Sequence, residues 1–352
     1  MRILMLGDAR TEHLARWARH FRKRGDLVLV ASAEGGPADV HFKLPVRWQA
    51  LGYPMLTATL KRLVTEWRPD IIVAHYLPNY GLLAVLSKFK PTVAVGWGSD
   101  LLVLPHRNFL QRSRLHYVAT HASAFLVDAQ MLVEPLVTLG APVEHVYVCP
   151  FGTDDDVFEL TPTRTTHEPL TILSTRRLDR RYRVDILIEA LTHVTTPCNA
   201  LIANDGTHKI ELQSQAARLN LTDRITFPGS LDRPGYLHNL QQAHIYVSTS
   251  PTDSTSVSLL EAMAAGLACV VPDIPGNREW LTHEKDGLLY RSLDPRDLAA
   301  KLESLLHNPE HATRLGARAR HVVQARGRWG LTIRRAELLF DQLVNTQPCP
   351  AS

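Results

Sequence analysis

The sequence has few cysteines and no long apolar run, and both absences narrow the kind of protein that it encodes. Four cysteines occur without the spacing of metal ligands: Cys149, Cys198, Cys269 and Cys349. This pattern predicts reduced and mostly buried thiols. No stretch of about 18 apolar residues occurs, so we expect no membrane-spanning helix. Residues 1–10 have a short apolar run without a cleavage region, which indicates a first strand of a cytoplasmic protein and not a signal peptide.

Charge of one sign is not in large excess either. The 352 residues carry 39 Lys and Arg against 35 Asp and Glu, a net charge of +4, so the distribution of charge informs more than its total. A hydrophobic content of 45% and a charged content of 21% are typical of a soluble globular protein. The length suits two domains of ordinary size, each with its own core.

Short apolar strands alternate with helical patterns along nearly the whole chain, which predicts parallel sheets covered by helices. The predicted strands are residues 2–6, 27–30, 71–74, 92–95, 125–127, 146–149, 171–174, 200–203, 224–227, 244–248, 269–272 and 287–290. A polar stretch at 154–169 is predicted to be a linker. We therefore expect an α/β protein with Rossmann-like domains at 1–155 and 170–328, and a C-terminal helix and tail at 329–352 that packs back on the first domain. Ligands of such sheets collect at the carboxyl ends of the strands, here in a cleft that the two domains face.

The segment 248–281 places two acids in an arrangement that suits a nucleotide-sugar. Asp253 lies in a hydroxyl-rich turn, and Glu261 follows eight residues later in an apolar helix. At 1.5 Å per residue the two lie on the order of 10 Å apart. Carboxylates accept hydrogen bonds from sugar and ribose hydroxyls, and the free N–H groups of a helix start hold a diphosphate between them. An ordinary strand–helix–strand unit with two surface acids has the same spacing, so spacing alone does not decide between the two interpretations.

The same segment resembles the donor-binding signature of family 4 of the retaining glycosyltransferases, which have the GT-B fold. The signature is Glu-x7-Glu, then Leu-Glu-Ala-Met-Ala, a glycine, a strand and a Gly-x-x-Glu turn. Its parts are present with Asp253 in place of the first Glu: Leu-Glu-Ala-Met-Ala at 260–264, Gly266, Gly276 and Glu279. The resemblance implies that Glu261 holds the donor ribose and Asp253 the transferred sugar. The turn that replaces the family's small glycine-rich turn would bind phosphate through its amides: Ser254, Thr255, Ser256 and Val257.

Basic residues near the start of the second half also resemble the family. Arg177 falls on the phosphate-binding arginine of its Gly-Arg-Leu segment, and Tyr182 stands where the family has a lysine. A guanidinium can replace an ammonium at phosphate, with forked geometry. The sequence does not decide which neighbouring arginine does so: the candidates are Arg180, Arg181 and Arg183, of which the last two are assigned to the donor site. The family's Gly-Asp-Gly turn near the nucleotide base has its counterpart in Asn204, Asp205 and Gly206.

In the first half, residues at strand ends are candidate ligands of the acceptor. His75 resembles the second histidine of the family's His-x-His motif, with Val73 in place of the first. A lone histidine after a strand is more often structural, but the resemblance favours contact with the donor sugar or the acceptor. Asp100 either binds acceptor hydroxyls or caps the following helix. In the first strand–helix turn, Gly7 would lie near the diphosphate and His13 would face the acceptor. The catalytic candidates are thus His75, Arg177, Asp253 and Glu261.

The predicted helix at 12–24 is basic on the faces that its apolar residues leave open. Arg16, Arg19 and Arg22 are among its charges. Such a surface suits anionic membrane lipid or a polyprenyl diphosphate acceptor, and a solvated basic face explains the pattern equally well. No aromatic-plus-basic groove accompanies the charge, so we expect no nucleic acid partner.

The resemblance covers almost the whole chain and implies a GT-B glycosyltransferase that acts with retention. It would move a hexose-type sugar from a nucleotide-diphosphate sugar to a glycan, lipid-linked or small-molecule hydroxyl, in polysaccharide or glycoconjugate biosynthesis. It implies no cofactor besides the donor and no metal, because arginines and helix-start amides take over that role. A metal interpretation of the acids at 154–156 is weaker, since consecutive acids converge poorly. Two alternatives stay open: another GT-B enzyme, such as an epimerase or an inverting transferase, and a non-catalytic sugar-nucleotide binding subunit. The expected location is the cytoplasm, with peripheral contact at the inner face of the membrane as a further hypothesis.

Overall fold

A computed structural model describes residues 1–44, 49–163 and 169–346. The chain divides into two compact units, one formed by Met1–Pro150 with Ile333–Ser352 and the other by Phe151–Thr332. Most of the predicted linker is described, and part of it forms a short helix, Asp155–Phe158, whose Val157 and Phe158 are buried in the core of unit 2. Residues 164–168 of the linker and the predicted tail beyond residue 346 lie outside the described residues.

Unit 1 is built on a seven-stranded parallel sheet in the order β3-β2-β1-β4-β5-β6-β7. Its strands are β1 Arg2–Leu6, β2 Leu27–Ser32, β3 Val40–His41, β4 Ile71–His75, β5 Thr92–Gly96, β6 Ala124–Val127 and β7 Val146–Val148. The inner strands β4, β5 and β6 are buried along their whole length, which is why they are apolar runs without alternation. Among the strands within the described residues of unit 1, the prediction missed the two-residue edge strand β3.

Helices cover this sheet on both faces. They are α1 Glu12–Arg24, α2 Gln49–Met55, α3 Thr57–Trp67, α4 Leu82–Leu86, α5 Ser99–Leu102, α6 Phe109–His121, α7 Val133–Thr138 and, in part, the last helix, α16 Trp329–Asn345. The helix α1 begins at Thr11, whose hydroxyl accepts a hydrogen bond from the Leu14 amide, and ends at Gly25 with a φ of 99°. Phe21 of α1 stacks on Phe340 of α16 with ring centroids 5.1 Å apart, so α16 belongs to the core of unit 1 along this face.

Unit 2 has a six-stranded parallel sheet in the order β10-β9-β8-β11-β12-β13. Its strands are β8 Leu170–Ser174, β9 Cys198–Ala203, β10 Ile225–Gly229, β11 Ile245–Val247, β12 Ala268–Pro272 and β13 Leu288–Tyr290. Its helices are α8 Asp155–Phe158, α9 Asp185–Leu191, α10 Lys209–Arg218, α11 Arg233–Gln242, α12 Val257–Ala264, α13 Pro275–Arg278, α14 Pro295–Leu306 and α15 Pro309–Arg326. The strand order reverses between β8 and β11, and that point of a doubly wound sheet is where ligands bind.

The helix α12 is held rigidly above this point. Its residues Leu259–Ala264 are all buried, and α15 packs so closely on the turn after α12 that a Cβ atom at Gly316 would lie 2.1 Å from the Gly266 carbonyl oxygen. Burial along the helix and this contact at its end hold α12 in place. These two doubly wound parallel sheets confirm the predicted fold class.

The cysteines and the helices agree with the expectations from composition. Cys149, Cys198 and Cys269 are buried and form no disulfide, and Cys349 lies outside the described residues. None of the helices within 1–44, 49–163 and 169–346 combines the length and the apolar character needed to cross a bilayer.

Candidate active site

The loops after β8 and β11 bring a buried ion pair to the carboxyl edge of unit 2. Arg176 Nη2 donates to Asp253 Oδ1 at 2.8 Å, and both side chains are largely buried. Burial raises the pKa of the Asp253 carboxyl, although the neighbouring Arg176 charge lowers it. Asp253 Oδ2 and Arg176 Nε are buried and have no hydrogen-bond partner among the described residues. Since buried polar atoms are rarely left without a partner, these two atoms mark a place for a polar ligand.

The Arg176 guanidinium also reaches the first turn of α12. Its Nη1 donates to Ser256 Oγ at 2.6 Å and lies 3.3 Å from Ser258 Oγ. The guanidinium carbon lies 4.5 Å from the centroid of the Tyr182 ring, which fixes the cation from the other side. A cation thus stands beside the free amides of a helix start, which is the arrangement that binds diphosphate.

The hydroxyl-rich turn forms the entry to α12. Ser254, Thr255 and Ser256 are buried, and Ser256 Oγ caps the helix by accepting from the Leu259 amide. Gly276 packs directly beneath this turn, because a Cβ atom there would lie 2.2 Å from the Asp253 carbonyl oxygen. The Pro-Gly turn therefore supports the backbone that carries Asp253, and Val257 opens the helix behind it.

Glu261 is buried one turn further along α12 and is oriented by two donors. Arg233 Nη1 donates to one carboxylate oxygen and the Tyr236 hydroxyl to the other, each at 2.7 Å. Arg233 is itself held by both oxygens of Asp156, at 2.7 and 2.9 Å. A carboxylate has about four acceptor positions, so Glu261 keeps capacity for ligand hydroxyls while its orientation is fixed.

The turn after β9 lies against the loop after β8. Asn204 Nδ2 donates to the Thr175 carbonyl at 3.0 Å, and Asp205 accepts from the Gly206 amide and from Lys209. Gly206 has no room for a side chain, since a Cβ atom would lie 2.4 Å from the Leu178 backbone. Asn204, Asp205 and Gly206 therefore lie at the same edge of the sheet, and their role at the nucleotide base stays a prediction.

The arginines predicted for the site lie outside it, and their neighbour Arg176, which was not predicted, lies inside it. Arg177 has 60% of its side chain exposed, against 10% for Arg176, and pairs with Asp179 at 3.1 Å. Arg183 pairs with Asp185, and Arg181 stacks on Tyr182 from the exposed side. The structure thus brings Arg176, Asp253 and Glu261 to the start of α12 and leaves the other guanidinium groups at the rim.

Acids at the linker engage arginines. Asp155 pairs with Arg328 at 3.3 Å, and Asp156 with Arg233. In the part of the chain that the structure describes, no three or more His, Cys, Asp or Glu side chains are grouped so as to hold a metal ion.

At the carboxyl edge of unit 1, His75 lies in an aromatic stack. Its ring is parallel to that of Trp97 at 5.5 Å, and His13 stacks on Trp97 at 5.1 Å. Neither ring nitrogen of His75 has a hydrogen-bond partner among the described residues. Burial lowers the pKa of His75 to about 3, so the ring is neutral at pH 7 and can both donate and accept. Tyr76, the next residue, has a φ of 78°, a strained conformation of the kind found at functional sites.

Asp100 is fully buried and acts on the backbone. Its oxygens accept from the amides of Trp97 at 3.0 Å and Leu77 at 3.3 Å, which ties the turn after β5 to the turn after β4. Burial raises the pKa of this carboxyl to about 6. Gly7 lies behind His75, since a Cβ atom there would lie 3.2 Å from the His75 Cβ. These contacts join two turns, and they are not those of a helix cap, because α5 has Gly98 at its N-cap and no side-chain cap hydrogen bond.

The histidine predicts a measurable dependence of stability on pH. His75 titrates near 6.5 in the unfolded chain and near 3 in the folded one. Between those values the unfolded state binds more protons, so stability falls as the pH drops below 6.5. At pH 5 this loss is about 2 kcal/mol. We expect His75→Gln to lose less stability than wild type between pH 7 and pH 5 in denaturant titrations; equal losses would show that His75 is not held neutral.

The arginines of α1 are not a free basic face. Arg16 is only 5% exposed. Arg19 pairs with Glu12 at 3.0 Å, Arg22 with Asp39 at 2.6 Å, and Arg24 with Asp26 and Asp341. The predicted apolar face is correct, with Leu14, Trp17 and Phe21 all buried.

Four side chains of the site were not predicted as ligands or supports: Arg176, Arg233, Tyr236 and Trp97. Trp97 ends the strand next to that of His75, so strand order alone could have placed it there. Arg176 precedes the predicted Arg177, and only the path of the loop distinguishes them. Arg233 and Tyr236 lie 28 and 25 residues from Glu261 in the sequence, so no local sequence pattern predicts their contacts with it.

Two doubly wound parallel units in one chain are the architecture of the GT-B class, and solved structures show this likeness. HepE of Anabaena, solved with UDP and glucose, matches with a TM-score of 0.82 at 19% identity, over 97% of this chain and 100% of its own. Sucrose-phosphate synthase of Thermosynechococcus elongatus matches with a TM-score of 0.85 at 17% identity, over 99% of this chain and 100% of its own. The protein has the GT-B fold.

Sequence comparison identifies the family. The model of the glycosyl transferases group 1 matches residues 159–322, and the glycosyl transferase 4-like model matches residues 2–129. The amylovoran biosynthesis glycosyltransferase AmsK of Erwinia amylovora is 25% identical over 306 residues, which are 83% of this chain and 74% of AmsK. The chain belongs to the group 1 glycosyltransferases, of the family 4 type. This confirms the resemblance on which the sequence interpretation depends.

Proposed function

We propose that the protein transfers a hexose-type sugar, with retention, from a UDP-sugar to a hydroxyl acceptor in polysaccharide or glycoconjugate synthesis. The observation that carries the proposal is the buried Arg176–Asp253 pair at the first turn of α12, with one polar atom on each side chain that has no hydrogen-bond partner among the described residues. Glu261 follows on the same helix. The uridine nucleotide is supported by HepE, which was solved with UDP and glucose.

Each part of the donor has a chemically matched group in unit 2. The ribose hydroxyls donate to the remaining acceptor positions of Glu261. The diphosphate lies at the first turn of α12, where the amides and the Arg176 guanidinium carry positive charge. Asp253 Oδ2 accepts from a hydroxyl of the transferred sugar. The exposed Arg177, Arg181 and Arg183 supply further positive charge at the rim.

The reaction follows from this placement of charge. The bond from the anomeric carbon to the phosphate oxygen breaks, and the diphosphate takes the electron pair. The acceptor oxygen bonds to the same carbon from the same face, and its proton passes to the leaving phosphate oxygen. Arg176 and the helix-start amides stabilise the charge that grows on the diphosphate. We propose that these groups make a divalent cation unnecessary.

Unit 1 carries the residues that we propose for binding the acceptor. We propose that the two ring nitrogens of the neutral His75, which have no hydrogen-bond partner among the described residues, bind hydroxyls of the acceptor or the sugar, and His13 extends the same stack. Asp100 acts behind them by holding the turn that carries Trp97. The acceptor itself is a glycan, a lipid-linked glycan or a small molecule with a free hydroxyl.

The stereochemistry of the product tests the proposal. With UDP-glucose and other UDP-hexoses as donors, we expect UDP release that depends on an added acceptor, an α-linked product from an α-linked donor by NMR, and unchanged rates in EDTA. A β-linked product would indicate an inverting transferase. Donor isomerisation without an acceptor would indicate an epimerase, and UDP-sugar binding without turnover on any acceptor would indicate a binding subunit. Loss of activity in EDTA, restored by Mg²⁺ or Mn²⁺, would refute metal independence alone.

A further inference from the structure

An apolar and basic surface follows the turn of Asp100 in unit 1. Between α5 and the start of α6 the exposed apolar side chains are Val103 at 43%, Phe109 at 85% and Leu110 at 48% exposure. Single exposed apolar residues are ordinary, but three within eight positions form a cluster that needs an explanation. Arg107 and Arg112 flank it, and both are exposed. We call Val103, Arg107, Phe109, Leu110 and Arg112 the 103–112 patch.

The charge of this patch is uncompensated. Residues 101–127 contain no aspartate or glutamate. Neither Arg107 nor Arg112 makes an ion pair with any described residue, whereas Arg19, Arg22 and Arg24 of α1 are all paired. Arg107 and Arg112 therefore offer unpaired positive charge to a partner, whereas Arg19, Arg22 and Arg24 of the helix that the sequence singles out are engaged by acids.

We propose that the 103–112 patch docks unit 1 on an anionic lipid surface. Phe109 opens α6 directly after its cap Asn108, so the ring projects from a rigid helix start. An aromatic and two aliphatic side chains beside unpaired arginines are the composition of an interfacial membrane contact, in which the rings enter the headgroup region and the guanidinium groups bind anionic headgroups. A protein partner of comparable affinity would need a larger apolar area than these three side chains offer.

The position of the patch gives this contact a consequence for the reaction. The helix α5, which begins with Ser99 and Asp100, leads directly into Val103, so the patch adjoins the strand end that carries Trp97. A docked enzyme would receive its acceptor from the lipid surface at this edge of unit 1. That consequence rests on the proposed function, whereas the docking itself does not.

Vesicle binding tests the docking on the full-length protein. We expect co-sedimentation with phosphatidylcholine vesicles that contain phosphatidylglycerol, little binding to phosphatidylcholine alone, and a steep loss with salt, since exposed charges are screened within about 8 Å at physiological ionic strength. Phe109→Ser with Leu110→Ser should abolish binding. Arg107→Gln with Arg112→Gln should weaken it about 25-fold, because each arginine near an anionic surface contributes roughly fivefold.

A matched control changes the net charge of unit 1 by the same amount as the Arg107 and Arg112 variant. Arg19→Gln with Arg22→Gln removes the same two charges from unit 1 and should bind vesicles like wild type. Thermal melts of all three variants should match wild type, since the replaced side chains are exposed. Equal weakening by the control, or no binding by wild type to phosphatidylglycerol vesicles, would overturn the proposal. If wild type instead sediments as a dimer that the Phe109 and Leu110 variant dissociates, the patch serves a second copy. UDP binding is measured in parallel. A protein that does not bind UDP would contradict the proposed donor site and leave the docking proposal unaffected.

Discussion

Replacing Arg176 by alanine should lower kcat about 100- to 1000-fold, the loss that follows removal of one group aimed at developing charge. The guanidinium reaches the first turn of α12 through Ser256 and is fixed by Asp253 and Tyr182. If it meets the leaving diphosphate, UDP affinity should fall less than kcat, because the charge on the diphosphate is largest in the transition state. The measurement is steady-state UDP release together with UDP titration calorimetry.

Three further variants serve as controls for this prediction. Arg176→Ala leaves Asp253 as an uncompensated buried charge, which costs about 3–5 kcal/mol of stability. The double variant with Asp253→Asn removes that charge as well, and its thermal melting checks the fold. Arg176→Lys keeps the positive charge without the forked geometry of the guanidinium. Arg177→Ala removes the same charge one residue away at the rim. It should reduce kcat more than UDP binding, but by less than Arg176→Ala. If folded Arg176 variants turn over normally and Arg177→Ala does not, Arg176 is only a structural residue.

Replacing Glu261 by alanine should weaken UDP binding about 10- to 100-fold, since a hydrogen bond to a charged group contributes roughly 1.5–3 kcal/mol. The protein should stay folded, because Arg233 keeps its two contacts with Asp156. The loss of affinity should be smaller for 2′,3′-dideoxyuridine diphosphate, which lacks the ribose hydroxyls that Glu261 would bind.

Controls for Glu261 separate orientation from charge. Tyr236→Phe removes one hydrogen bond that orients the carboxylate and should cost less than tenfold in UDP affinity. Glu310→Ala removes an acid from an exposed position of α15 and should leave UDP affinity unchanged. Unaltered UDP affinity in a folded Glu261→Ala variant would remove this residue from the donor site.

The sequence predicted the elements well because most of them depend on local pattern. Buried parallel strands are continuous apolar runs. The predicted bounds of β1 are those of the structure, and the other eleven predicted strands differ from it by one or two residues at one or both ends. The edge strand β3 was missed because two residues carry no periodicity. The apolar face of α1 follows from a spacing of three and four residues, and Leu14, Trp17 and Phe21 are buried as it predicts.

The candidate site was predictable only where strand ends determine it. Strand ends placed Asp253, Glu261 and the turn at Asn204 at one edge of unit 2. Whether Arg176 or Arg177 points inward depends on the path of a loop, and the pairs that Arg19 and Arg22 make with Glu12 and Asp39 depend on side-chain reach. Neither the loop path nor the side-chain reach can be read from sequence periodicity. The largest differences between the sequence predictions and the structure therefore concern which arginines are buried or paired.

A crystal structure with UDP tests the central claim most directly. We predict the diphosphate at the first turn of α12 within hydrogen-bond distance of Arg176, and the ribose hydroxyls on Glu261. A diphosphate that contacts only Arg177, Arg181 or Arg183 at the rim, or a nucleotide away from the carboxyl edge between β8 and β11, would contradict it.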